Sequence, residues 1–253
     1  MRIETLTSPE VRAASPAGRV VVLPLGSFEQ HGPHLPLTTD TDLVTAIARA
    51  LEKRLPEKIL LLPTLWTGHS THHLAFPGTL NVRQMPYIQL LIALAESVVA
   101  MDGTRLFLLN GHGGNGIPAQ AAMREIKSQF PALKTAFAAY WTLAAKTIRD
   151  VRESPIGGIG HACELETSLM LHLYPEKVHM DRARNDGCRR TGDPYRQNDM
   201  QYARPACFVS EFHEVTGNGT VGQPELATAE KGRRFFEGII PAIAAFVEDF
   251  AKW

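Results

Sequence analysis

Three short apolar runs limit what this chain can become: Arg19 to Leu25 (RVVVLPL), Lys58 to Leu62 (KILLL) and Arg105 to Leu109 (RLFLL). A strand with one wet face alternates apolar and polar residues; these runs do not alternate, so they read as strands buried on both faces, as in parallel sheets. Between them the apolar spacing changes to three and four. Leu43, Val44, Ile47, Ala48 and Leu51 mark one helix ended by Pro56, and Gln84 to Met101 is a second with Pro86 in its first turn. A third, with Ala119, Met123 and Ile126 on one face, leads to a fourth strand at Leu133 to Tyr140. Strand and helix thus alternate over the first 140 residues, which predicts an α/β layered sheet with crossover helices.

Later signals are weaker. Trp141 to Gly160 reads as a helix followed by a flexible PIGGIG turn, and Glu164 to Leu173 as another helix. Met180 to Arg204 is polar and aperiodic, so it is expected to be a surface loop or an arm reaching another subunit. Pro205 to Phe212 reads as an edge strand, and Pro224 to Trp253 as a terminal helix broken at Pro241.

Length and charge narrow the function. With 253 residues, 44% of them hydrophobic, the chain can bury one sizeable core, and a single domain over 1–253 is expected. Zero formal net charge leaves no electrostatic footprint for nucleic acid or an anionic membrane. Cys163, Cys188 and Cys207 form no CxxC pair and cannot all pair internally, which favours a reducing compartment. The first eighteen residues carry no signal-like apolar core, and Ile88 to Ala100 is too short for a membrane span and carries Glu96. A cytoplasmic protein is expected.

The chemistry concentrates in the loop after the first strand, Leu23 to Asp42 (LPLGSFEQHGPHLPLTTDTD). Glu29 and His31, two residues apart, point the same way if the backbone is extended, and offer the carboxylate oxygen and imidazole nitrogen that zinc or manganese prefers. Asp40 arrives just before the next helix and can reach back to the same ion or simply cap that helix. Pro33 and Pro36 stiffen the stretch between them. The third strand runs into Asn110-Gly111-His112-Gly113-Gly114-Asn115, a strand, glycine turn and helix at the carboxyl edge of a sheet. The glycines there lack both the lysine of a P-loop and the spacing of GxGxxG, so His112 is the better candidate for an ion or substrate. A third cluster opens the helix at His161-Ala162-Cys163-Glu164-Leu165-Glu166; two glutamates two residues apart cannot share a helical face, so at most one points into a site.

Together these motifs resemble the creatininase (creatinine amidohydrolase) family. The matching pieces are GSFEQHGPHLPLTTD at Gly26 to Asp40, GHSTHHLAFPGT at Gly68 to Thr79, NGHGGN at Asn110 to Asn115, GHACELETSLML at Gly160 to Leu171, and the glycine-bounded GQP and ATAEKG segment from Gly219 to Gly232. The resemblance implies a three-layer α/β/α fold around a mostly parallel sheet. It also implies two neighbouring divalent ions (zinc, manganese or iron) and a homo-oligomer, often a hexamer. It implies Glu29 as a ligand of one metal, His31 of the other, Asp40 bridging both and His112 completing one site. Creatininase proper has a glutamate ligand two residues beyond that histidine, where this chain has Gly114. Glu164 is the expected substitute and Glu166 its competitor.

Two ions held together lower the pKa of a shared water and polarise an amide carbonyl. His161 is then the expected proton shuttle to the leaving nitrogen, with Ser70, His72, Gly113 and Trp141 facing the substrate. The implied reaction opens a C–N bond in a small cyclic amide or formamide. Relatives implied by the same resemblance deformylate formamidopyrimidine ribonucleotides, cleave a cofactor-precursor peptide, or act on a cyclic inositol-derived ketone. A reading from another class is a non-catalytic metal-binding scaffold, which the glycine at 114 keeps open.

Overall fold

The computed structural model describes residues 1–187, 193, 195, 199–202 and 205–253. Four parallel strands form the central sheet, β1 (Val20–Leu25), β2 (Ile59–Leu61), β3 (Arg105–Asn110) and β4 (Lys134–Ala139), in the order β2-β1-β3-β4. The helices are α1 (Ser8–Ala13), α2 (Thr39–Arg54), α3 (Gln84–Ala100), α4 (Gly116–Gln129), α5 (Tyr140–Leu143), α6 (Ala145–Val151), α7 (Glu164–Leu173) and α8 (Ala229–Phe250).

The unbroken apolar runs have a simple cause. Val20 and Val22 of β1, with Phe107 and Leu109 of β3, enter a core shared with α2, α7 and α8. Val21, Leu23, Leu106 and Leu108 point the other way, into a core shared with α3 and α4. Successive strand residues serve opposite faces, so both parities must be apolar. Two cores on one sheet make three layers, α/β/α.

Connectivity fixes where a site can form. The β1 to β2 crossover runs through α2 on one face, whereas the β2 to β3 crossover runs through α3 on the other. Adjacent strands β1 and β3 therefore carry their chain away in opposite directions, which opens a crevice beyond their carboxyl ends, at the topological switch point. A second, antiparallel pair, β5 (Ile159–His161) and β6 (Val221–Gly222), brings the later motifs to this crevice.

Several expectations change. α2 begins at Thr39, so Asp40 lies inside its first turn, where the helix dipole favours a carboxylate. Pro205 to Phe212 is no edge strand: its described residues 205–212 lack strand structure, and a 3-10 turn begins at Phe212. α8 is continuous through Pro241, because Phe235, Ile239, Ile240, Ile243 and Val247 bury one face along the core and outweigh the missing N–H. Residues 188–192, 194, 196–198 and 203–204 of the expected polar arm, Cys188 among them, lie outside the described residues. No helix among the described residues is long and apolar enough to cross a membrane.

Candidate metal centre

Four backbone features converge on the switch point: the loop after β1, the first turn of α2, the turn after β3, and the junction of β5 with α7. They deliver Glu29, His31, Asp40, His112, His161 and Glu166, all buried. Their donor atoms gather in overlapping groups of three, Glu29 with Asp40 and His112, His31 with Asp40 and Glu166, and Glu29 with His31 and His161, the atoms of each group within 4.8 Å of one another.

Backbone carbonyls decide which ring nitrogens are free to bind an ion, because a carbonyl only accepts. His31 Nδ1 lies 3.1 Å from the Glu29 carbonyl and donates to it, leaving the Nε2 lone pair 3.1 Å from Asp40 Oδ1. His112 Nε2 lies 3.1 Å from the His69 carbonyl and donates to it, leaving the Nδ1 lone pair 3.0 Å from Asp40 Oδ2. Two nitrogen lone pairs thus face the two oxygens of one carboxylate, an arrangement that repels unless a cation lies between each pair. Ligands sharing an ion at bonds of ~2.1 Å sit ~3 Å apart. Asp40 Oδ2 and Glu29 Oε1 are, moreover, buried oxygens with no hydrogen-bond partner, although His73 Nε2 comes within 3.1 Å of the latter. Such atoms are costly in a protein interior, and a divalent ion satisfies them. The donor set fits two ions sharing Asp40.

Titration follows the same geometry. Burial opposes the charge on Glu29, but the His112, His73 and His161 rings outweigh it and hold its carboxyl well below the usual range. Burial likewise opposes a charged His31, yet Asp40 raises its pKa to about 9. His112 is pushed well above the ordinary imidazole range, against its burial, by Glu29 and Asp40. Protons thus occupy the ion positions when no metal is bound. Glu166 rises to about 7 through burial, which prevails over the opposing pull of His31, while Asp40 and Glu29 push the same way as burial. His161, buried and facing His31, falls to about 3 and is neutral at ordinary pH.

Glu164 does not join the cluster. Its carboxylate accepts from Lys231 Nζ at 2.7 Å and from the backbone N–H groups of Glu153 and Ser154 at 3.0 and 2.9 Å, so it ties α6, α7 and α8 together. The carboxylate that does join is that of Glu166, which also accepts from the Cys163 N–H at the start of α7. Gly114, where the resemblance expects a glutamate, packs so closely that any Cβ would collide with the His69 carbonyl and His112 Nε2. The 69–73 loop fills that space instead, with His72 stacked on His112 at 5.7 Å between ring centres.

His72, Gly113, Trp141 and His161 line a cavity of about 320 Å³ beside the cluster. Ser70 does not; it sits behind Glu29, its hydroxyl 2.6 Å from that of Ser27, which in turn donates to Glu29 Oε2 at 2.9 Å. Met200, Phe208, Phe212 and Val215 add apolar side chains to the cavity lining, with Ser210 among them. The sequence did not announce these lining residues: Met200 falls in the aperiodic stretch from Met180 to Arg204, and Phe208 and Phe212 fall in the segment expected to be an edge strand. His73, expected with His72 to line the pocket and not to bind metal, does line it and is buried against Glu29.

Fold and cluster define an α/β protein built to hold divalent cations at the edge of its sheet. A family model described as creatinine amidohydrolase matches residues 4–247, and the chain belongs to the creatininase family of hydrolases. It is 33% identical, over 98% of its own length and 89% of the relative's, to a mycofactocin precursor peptide peptidase of Mycobacterium tuberculosis. It is 28% identical to a 3-dehydro-scyllo-inosose hydrolase of Thermotoga maritima, over 98% and 83% of the two chains. A creatinine amidohydrolase of Pseudomonas putida is 29% identical over 97% and 95%. Among solved structures, a manganese creatininase superposes with a TM-score of 0.81 at 26% identity, covering 98% of this chain and 97% of the other. A zinc–zinc form of a creatininase mutant gives 0.80 at 26% identity over 98% and 97%.

Proposed function

We propose that this chain hydrolyses a C–N bond of a small amide at a centre of two divalent ions, zinc or manganese. Glu29, Asp40 and His112 would hold one ion, and His31, Asp40 and Glu166 the other. The observation that carries this reading is the pair of histidine lone pairs opposed to the two oxygens of Asp40. The ions would supply Lewis-acid polarisation of a carbonyl and an acidified water. The protein's own groups do the rest. His161 donates its Nε2–H to the Gln30 carbonyl at 2.7 Å, so Nδ1 is the atom that takes a proton and passes it to the leaving nitrogen. Trp141, Phe208 and Phe212 line the cavity with aromatic surface.

A second reading, hydrolysis of a short peptide segment, is favoured by the apolar side chains in the cavity lining and by the 33% identity to the Mycobacterium tuberculosis peptidase, against 29% to the creatinine amidohydrolase. Self-association belongs to either reading, and exposed Trp66 and Leu80, which flank Phe28, supply an apolar surface for it. Chelator-stripped protein is expected to lose hydrolysis of a panel of cyclic amides, formamides and short peptides, and to regain it with two equivalents of zinc or manganese. A full panel with no turnover in the metal-replete protein would leave the scaffold reading standing.

Metal affinity carries a pH signature. A proton sits on His31 below about 9, and an ion must displace it. Affinity at that position is therefore expected to rise about tenfold per pH unit between 7 and 9 and to level off above, and to fall more steeply below 7, where Glu166 also binds a proton. Competition against a chelator of known affinity from pH 6.5 to 9.5, with the chelator's own protonation subtracted, measures this slope. A flat profile across 7 to 9 removes His31 from the ligand set.

A further inference from the structure

Gln30 lies between the two motif residues that bind ions, yet its side chain points to neither ion position. Its amide is oriented by two backbone groups of fixed polarity. Oε1 lies 2.9 Å from the Gly32 N–H, which only donates, and Nε2 lies 3.1 Å from the Gly219 carbonyl, which only accepts. The flipped amide would face like with like at both ends, so the NH₂ orientation is determined. That NH₂ has two hydrogens and three neighbours: the Gly219 carbonyl, His73 Nδ1 at 2.8 Å and His161 Nε2 at 3.1 Å. His161 Nε2 is itself a donor, to the Gln30 carbonyl at 2.7 Å, and drops out as an acceptor. One hydrogen goes to Gly219 and the other to His73 Nδ1.

Nδ1 of His73 therefore carries no hydrogen. A proton there would meet the amide hydrogens head on, which excludes the Nδ1–H tautomer and the doubly protonated ring alike. The neutral ring keeps its proton on Nε2. Freeing Nε2 for a metal ion would require its proton to move to Nδ1, which the Gln30 amide blocks, so His73 stays out of the ligand set although Nε2 approaches Glu29 Oε1 to 3.1 Å. The ring cannot easily turn away: Phe212 stacks on it with centres 4.0 Å apart and 29° between planes, and His72 packs at 4.4 Å. His73 lines the cavity.

We propose that Gln30 is a positioning residue that locks His73 in its Nε2–H tautomer, making His73 a fixed hydrogen-bond donor to a substrate oxygen beside the ions and not a third ligand of one of them. The assignment of this donor to hydrolysis rests on the function proposed above; the tautomer does not. A preformed donor of this kind favours an oxygen that gains negative charge as the amide carbonyl is attacked.

The test reads the tautomer directly. Protein labelled with ¹⁵N-histidine and loaded with zinc is studied by long-range ¹H–¹⁵N correlation, in solution or in the solid state for a large assembly, with His73→Phe used to assign the His73 ring. The expected spectrum shows Nε2 protonated and Nδ1 bare. In Gln30→Glu the carboxylate can only accept, so the proton is expected to move to Nδ1, with two zinc ions retained and kcat on the best panel substrate lowered about 10- to 100-fold. A wild-type ring with Nδ1–H or with two protons overturns the proposal, and this holds even if Gln30→Glu does not fold. So does an Nε2–H tautomer that persists in a folded Gln30→Glu protein. The stated tautomer in a protein that hydrolyses nothing leaves the lock standing and sinks the amidohydrolase reading instead, along with the donor's role in it.

Discussion

Asp40→Asn is expected to reduce the metal content from two ions per chain to one or none, and hydrolysis by about 10³-fold or more. The size of the effect comes from the geometry. Each oxygen of Asp40 faces a different histidine lone pair, Oδ1 towards His31 Nε2 and Oδ2 towards His112 Nδ1, at 3.1 and 3.0 Å. Asparagine keeps the shape, but one oxygen becomes an NH₂ that repels a cation and donates instead to the imidazole beside it. The other oxygen loses its formal charge. No neighbour can take over, because Glu29 Oε2 is engaged by the Ser27 hydroxyl, and Glu166 approaches from the other side through the start of α7. Elemental analysis of dialysed protein, with circular dichroism to show that the fold persists, reads the result. Two retained ions with wild-type turnover would remove Asp40 from the centre and, with it, the shared-carboxylate reading.

Glu29, His31 and Asp40 were legible in the sequence because one stiff stretch, the loop after β1 and the first turn of α2, carries all three, so that spacing and chemistry act together. The sheet was legible for a similar reason: strands buried on both faces leave no polar residue in either parity, and Val20 to Leu23 shows this at four successive positions. What escaped depends on partners distant in the chain. β5 and β6, of three and two residues, are too short to carry any periodicity, and they exist because Gly222 and Gly160 let two backbones meet. The continuity of α8 through Pro241 depends on a buried face that a local rule about proline does not weigh. The orientation of the Gln30 amide needs Gly219, far along the chain, before it means anything. The choice between Glu164 and Glu166 turns on how α7 leaves β5. That junction holds Ala162 at φ 49°, a left-handed residue that no spacing rule announces. Glu166 faces His31 and Asp40 from this helix, and Glu164 faces Lys231.

Those two glutamates are expected to fail in opposite ways when replaced by glutamine. Glu164→Gln should leave both ions in place and cost stability. Its carboxylate holds a buried Lys231 and two backbone N–H groups, and an amide offers one acceptor oxygen and no charge. Removing one partner of a buried ion pair costs ~3–5 kcal/mol. The lower end applies because the more exposed Glu153 still reaches Lys231 at 2.9 Å. For a chain of this size that is a drop of about 6–12 °C in Tm. Glu166→Gln should lose one ion and keep its fold. Burial, against the pull of His31, raises the Glu166 pKa from 4.5 to about 7 in the folded protein. A carboxyl raised in this way favours the fold while it is protonated, and that advantage disappears as the pH climbs from about 4.5 through about 7. Glutamine never ionises, so at pH 8 the ion-free Glu166→Gln protein is expected to melt at or above the temperature of the ion-free wild type. Melting curves and metal content for both variants, each with and without chelator, separate a ligand from a structural clasp. If Glu164→Gln loses an ion while Glu166→Gln keeps both, the ligand set described here has the wrong glutamate.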